Sequence, residues 1–255
     1  FHNAEDQLRG EAATLSFFSQ GQYLNPMVIR IAGLAYQKGF GGHFHNDNSL
    51  TIFRDIPGLI LACPSNGSDA VKMLRAATKE AYKKGRIVVF IEPIALYMVK
   101  DLHNPKDNKW ISKYPPLNEE LKIGDFITHG KGKALTIISY GNGLYHSLKA
   151  QPKIEKKIKR KIKIIDICWL SDINVDSLLK EIGMCKKVLI VDECRRSGCH
   201  GEGLMALMYE KSKNNLDIKL HAAEDSFIPL GVAATSTLPD YETITQHSIE
   251  LINNE

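Results

Sequence analysis

Apolar positions along this 255-residue chain fall into short runs separated by turn signals, and the runs predict alternating strands and helices. Leu8, Ala12, Leu15 and Phe18 recur at helical spacing, so residues 4–20 read as a helix that Gly21 stops. Pro26-Met27-Val28-Ile29-Arg30-Ile31 is short and mostly apolar, which predicts a strand. Leu59-Ile60-Leu61-Ala62-Cys63 is a second strand, ended by Pro64. Ser68 or Asp69 is expected to cap the helix that follows and runs to about Lys84. Ile87-Val88-Val89-Phe90-Ile91 is a third strand, closed by Glu92-Pro93.

Residues 101–133 break the rhythm with Pro105, Pro115, Pro116 and several glycines, while Trp110, Tyr114 and Phe126 predict an ordered crossing segment. A domain boundary is expected there, giving 1–128 and 129–255. Beyond it, strands are expected at 135–140, 162–167, 188–191 and 218–222. Helices are expected to open at Gly141-Asn142-Gly143 and to cover 174–183, about 200–212 and 241–253. Continuous apolar strands alternating with helices predict an α/β fold whose mostly parallel sheet is covered on both faces.

Composition narrows the class without naming it. Lys and Arg total 33 against 29 Asp and Glu, so a net charge of +4 gives no case for nucleic acid. No run approaches the ~18 apolar residues of a membrane span, and no signal-peptide pattern opens the chain. Five cysteines, odd in number and scattered, with apolar neighbours around Cys63 and Cys168, predict reduced thiols in a cytoplasmic protein. The first residue is Phe1 and a helical pattern begins almost at once, so the chain is expected to be a piece of something longer, cut within a domain.

The strongest chemical signal is Gly41-Gly42-His43-Phe44-His45-Asn46-Asp47-Asn48-Ser49. Glycine with Asn and Asp predicts a loop, and imidazole exchanges protons near neutral pH. His43, His45, Asn46 and Asp47 are the candidates it supplies. The lysine-rich stretch 153–163 carries Ile154, Ile158 and Ile162 every fourth residue, which predicts the stripe of a surface helix with its lysines in water. Cys194-Arg195-Arg196-Ser197-Gly198-Cys199-His200 has a cysteine spacing outside the usual zinc pattern; an interface or anion contact suits its arginines better. No Gly-x-Gly-x-x-Gly follows a strand, and Gly130-Lys131-Gly132-Lys133 precedes one, the wrong order for a phosphate loop. Gly-x-Ser-x-Gly is absent, and Ser65 and Ser139 have no local base.

The order of motifs carries a resemblance. Asp6-Gln7, Glu11-Ala12-Ala13, Gly21-Gln22-Tyr23 with Pro26 and Val28-Ile29-Arg30, Gly42-His43-Phe44-His45, Ile56-Pro57-Gly58-Leu59 and Pro64-Ser65 follow one another. Asp69-Ala70, Phe90-Ile91-Glu92-Pro93 and Leu96-Tyr97 complete the first half; Thr136-Ile137-Ile138-Ser139-Tyr140-Gly141 and Asp192-Glu193 mark the second. Together they resemble the beta subunit, or beta-like half, of the thiamine-diphosphate-dependent 2-oxo acid dehydrogenases within the transketolase superfamily. The resemblance implies a truncated pyrimidine-binding domain followed by a transketolase C-terminal domain. It implies oxidative decarboxylation of a pyruvate-like or branched-chain 2-oxo acid, with His45 as the proton donor when the acyl group passes to a lipoyl carrier.

Thiamine diphosphate with Mg2+, and in many members K+, are the implied cofactors. An alpha subunit or upstream alpha-like segment, a lipoyl-bearing acyltransferase and a second copy of the chain are the implied partners, with Arg195 and Arg196 at the subunit interface. The family's pyrimidine-binding glutamate falls before Phe1, so this piece is expected to be inactive alone. Asn46-Asp47 stands where the family has Ser-Gln. Alternative readings are a transketolase-like or deoxyxylulose-phosphate-synthase-like enzyme, or a catalytically silent assembly fragment.

Overall fold

A computed structural model describes residues 2–37, 45, 47–212 and 215–253. The N-terminal stretch is helical, as its spacing predicts, but broken: α1 (Glu5–Gln7) leads into a π-helical turn at Leu8–Ala12 and then α2 (Thr14–Phe18). Only Leu8 of it is buried.

Three parallel strands form the first sheet: β1 (Met27–Gly33), β2 (Leu59–Ala62) and β3 (Ile87–Pro93), in the order β1-β3-β2. The short α3 (Thr51–Arg54) precedes β2, and α4 (Gly67–Lys84) joins β2 to β3. The cap of α4 is Asn66, not Ser68 or Asp69: the Asn66 side chain accepts the Asp69 N–H at 3.1 Å. Asp69 sits one turn inside, where its carboxylate accepts the Asn66 amide in return. Gly85 ends the helix in the left-handed region, at φ 65°.

The crossing segment is ordered by its own turns. The Asp107 carboxylate accepts backbone N–H groups of Leu102, His103, Asn104 and Lys109 at 2.9–3.0 Å. Arg75 of α4 donates to the carbonyls of Pro116 and Glu119 and lies over the Tyr114 ring.

The second sheet has five strands in the order β4-β6-β5-β7-β8: β4 (Ile127–His129), β5 (Thr136–Ser139), β6 (Lys163–Asp166), β7 (Lys187–Arg195) and β8 (Asp217–Ala223). All its pairings are parallel except β4 with β6. Its helices are α5 (Gly141–Ile158), α6 (Val175–Ile182), α7 (His200–Lys211) and α8 (Tyr241–Asn253). The lysine-rich helix is shorter than its isoleucine spacing predicts. Helix α5 stops at Ile158 because Lys159 turns left-handed, so Ile162 is buried from outside the helix.

Gly132 explains the Gly-Lys-Gly-Lys run. A Cβ there would lie 2.1 Å from the Lys161 carbonyl, so the run permits two backbones to touch.

One hydrophobic core runs through both sheets, joining Leu61, Val89 and Ile91 to Ile138, Ile165, Val188 and Ile190. A second junction is made by residues just after β6. Cys63 N–H donates to the Cys168 carbonyl and Leu170 N–H to the Leu61 carbonyl, both at 2.8 Å, flanking an antiparallel bridge of Ala62 with Trp169. The fully buried Trp169 ring thereby packs in the first sheet's core with Ile60, Met73, Ala77, Val88 and Phe90.

Candidate active site at the junction of the two sheets

The parallel strands of the first sheet all point their carboxyl ends the same way, the position at which α/β sheets present reactive loops. His45 follows β1 at that end. It is exposed, in a turn, and with Asp47 it borders a recess of about 120 Å³. The apolar lining of the recess comes from Ile31 and Leu34 at the end of β1, Ile91 of β3, and Leu50 and Phe53 at the entry to α3, and its polar lining from His45, Asp47 and Ser49. His43 and Asn46 lie outside the described residues.

The second sheet braces this corner. Arg195, at the end of β7, ion-pairs Asp47 at 3.1 Å, donates to the Ser226 carbonyl at 3.0 Å and lies over the Phe227 ring. The sequence offered His45 with Asp47 and Arg195 with Arg196 as two separate signals; folding brings Asp47 and Arg195 together. Arg196 instead donates to the Leu220 carbonyl at 3.0 Å and remains exposed. The loop beyond it is held by α3, since Arg54 donates to the carbonyls of Gly198 and Cys199 at 3.2 and 2.8 Å.

Two buried carboxyls that the sequence marks as part of the family pattern, without a role, lie behind the site. Asp192 and Glu193 follow the apolar run Val188–Val191 directly, and a charged pair ending a buried strand is the signal that could have pointed to one. Asp192 accepts from the Tyr140 hydroxyl at 2.6 Å and from the Gly201 N–H at 2.8 Å, placing a carboxylate at the N-terminus of α7. The Glu193 carboxyl is pushed up to about 8 by burial, against the hydrogen bonds from Asn142 and Ala35 that favour its anion. Burial likewise pushes Asp166 up to about 7 and the Cys63 and Cys194 thiols well above their usual range. All five cysteines are free and buried. His200 and His146 are driven down to about 4 by desolvation, so both are neutral at neutral pH.

Among the described residues, no three His, Cys, Asp or Glu side chains come together in a way that could hold a metal ion. A recess of about 120 Å³ is also small for a cofactor of two rings and a diphosphate. The recess at His45 therefore has room for a part of thiamine diphosphate and not for the whole of it. No described helix is long and apolar enough to cross a membrane.

Comparisons with known proteins agree with this architecture. Residues 124–238 match the family described as transketolase, C-terminal domain. A solved split-gene transketolase, described as an inactive beta4 tetramer, shares the fold: TM-score 0.66 over 88% of this chain and 66% of that one, at 16% identity. The class is thus a two-sheet α/β protein whose second part is a transketolase C-terminal domain.

At the level of the whole chain the relatives are more particular. Pyruvate dehydrogenase E1 component subunit beta of Staphylococcus epidermidis is 26% identical over 250 residues, 95% of this chain and 70% of that protein. Its Bacillus subtilis counterpart is 22% identical over 248 residues, 94% of this chain and 70% of that protein. The chain is a homologue of the beta subunits of thiamine-diphosphate-dependent 2-oxo acid dehydrogenases.

Proposed function

We propose that this chain supplies the proton-transferring histidine of a 2-oxo acid dehydrogenase decarboxylating component, at a site completed by another chain or segment. The observation that carries the reading is the placement of His45. It stands exposed at the carboxyl end of the first sheet, beside a small recess, while its near neighbour Asp47 is fixed by Arg195 of the second sheet. An imidazole there can give a proton to a sulfur or oxygen of an incoming acyl carrier and recover it from water.

The cofactor supplies the electron sink when bound in the complete enzyme. Its diphosphate, its Mg2+ and its pyrimidine contacts belong to the alpha subunit or to an upstream segment, which accounts for the small recess. K+ is not assigned to any residue. The lipoyl-bearing acyltransferase is the carrier that approaches His45, and Arg196, exposed on the far loop, is available to a second subunit of a dimer. Five buried free thiols are consistent with a cytoplasmic setting.

The test is calorimetric titration with thiamine diphosphate and Mg2+. The chain alone is expected to give no saturable heat at micromolar concentration, and the complex with its alpha part to bind tightly. Tight binding by the chain alone would contradict the shared site.

A further inference from the structure

Strand β7 carries a bulge: Asp192 pairs with Ala222 of β8 and Arg195 with Ala223, leaving Glu193 and Cys194 out of the ladder. The bulge frees the backbone of Glu193 to bond elsewhere, and it bonds to the first sheet. The Glu193 carbonyl accepts from the Asn48 amide at 2.6 Å. Its carboxyl accepts the Ala35 N–H at 3.2 Å and the Asn142 amide at 3.0 and 3.1 Å. Ala35, Asn48, Asn142 and Glu193 are each no more than 1% exposed.

Ala35 precedes His45 and Asn48 follows it, and both are tied to one residue. Tying two flanks to a single point removes the freedom of the ends between which His45 stands. Asp47 adds a third tie, to Arg195, two positions further along the same strand. Two donor groups, the Ala35 N–H and the Asn142 amide, both point at the Glu193 carboxyl, so an amide nitrogen turned toward either would leave donor facing donor in a buried site.

We infer that Glu193 is a positioning residue: it clamps Ala35 and Asn48, the two flanks of His45, onto the bulge of β7, and through Asn142 it ties that clamp to the start of α5. The inference rests on the reading of His45 as the proton carrier for its effect on turnover; the clamp itself does not depend on it.

The complete enzyme is compared with E193Q and with the double variant E193Q/N142D. In the double variant the new amide can donate to the new carboxylate while its oxygen still accepts from Ala35. Two readouts are taken: amide hydrogen exchange over 34–37 and 47–50 against strands β3 and β5, and acyl transfer to lipoyl acceptor. E193Q is expected to speed exchange at both flanks at least tenfold with β3 and β5 unchanged. Its acyl-transfer kcat should fall at least tenfold, with KM for the acceptor within twofold. The double variant should return flank exchange to within about threefold of the parent. Should E193Q not fold, N48A takes its place, with faster exchange over 47–50 as the expected result.

Unchanged exchange at the flanks, a rise equal to that in β3 and β5, or no recovery in the double variant overturns the clamp. Faster flank exchange with acyl transfer untouched keeps the clamp and instead refutes the role given to His45.

Discussion

Trp169 offers the sharpest test of how the two sheets hold together. It is contributed by the chain after β6 yet is fully buried in the first sheet's core. A buried tryptophan covers roughly 150–250 Å², worth about 4–6 kcal/mol at about 25 cal/mol per Å². Its indole N–H finds no partner among the described residues, and that unmade hydrogen bond already costs about 1–3 kcal/mol. Trp169→Ala removes both the packing and the orphan donor, so the net loss is expected near 3 kcal/mol, at the low end of large-to-small changes. Trp169→Phe keeps most of the ring volume and drops the donor, and should cost less than about 1.5 kcal/mol. Urea unfolding of the chain, followed by far-ultraviolet circular dichroism, measures both. For a chain of this size the alanine variant should also lower Tm by roughly 6–12 °C. A loss below about 1 kcal/mol for Trp169→Ala would refute the claim that this ring joins the two cores.

Three further outcomes follow from other residues. Asp166 is held up to about 7 by burial, so ionising it destabilises the fold. Stability should therefore be highest below about pH 4 as far as this group is concerned and decline as pH rises through 7, by up to about 4 kcal/mol. Asp166→Asn should flatten that decline, measured by unfolding at pH 5 and pH 8, and an unchanged slope would remove Asp166 as its source. Gly132→Ala forces a Cβ into the Lys161 carbonyl and should cost more than about 2 kcal/mol in thermal unfolding, whereas a neutral result would show that the backbones can part. Asn66→Ala removes the α4 cap and should cost about 1 kcal/mol, with Asn66→Ser restoring most of it.

Much of the fold is legible in the sequence because its strands β2, β3, β5, β6 and β7 are buried on both faces. Runs such as Ile87–Ile91 and Val188–Val191 read as strands at sight, and the helices between them carry an apolar stripe. Where periodicity misleads, a local conformation wins over it. Ile162 keeps the four-residue spacing of Ile154 and Ile158, but a left-handed Lys159 ends the helix first. Cap choice is equally local: Asn66, Ser68 and Asp69 are all good capping residues, and only the backbone decides that the extended residue is Asn66.

The site was half legible. Histidines beside glycines and Asn-Asp predict a loop, and His45 stands in a turn beside the carboxyl end of β1. Its supports were not legible, because Asp47 with Arg195, and Asn48 with Glu193, are contacts across nearly 150 positions of sequence. Glu193 reads as the polar end of a strand until the bulge shows that its carbonyl and its carboxyl both face the first sheet.

The most direct measurement of the central claim compares His45→Ala with the parent in the complete enzyme, in two half-reactions. One is decarboxylation of the 2-oxo acid with an artificial electron acceptor; the other is acyl transfer to lipoyl acceptor. Loss of a positioned proton donor costs roughly 10²–10⁴-fold, so acyl transfer should fall by at least about a hundredfold while decarboxylation stays within about tenfold. Equal loss in both half-reactions, or loss in neither, would contradict the account.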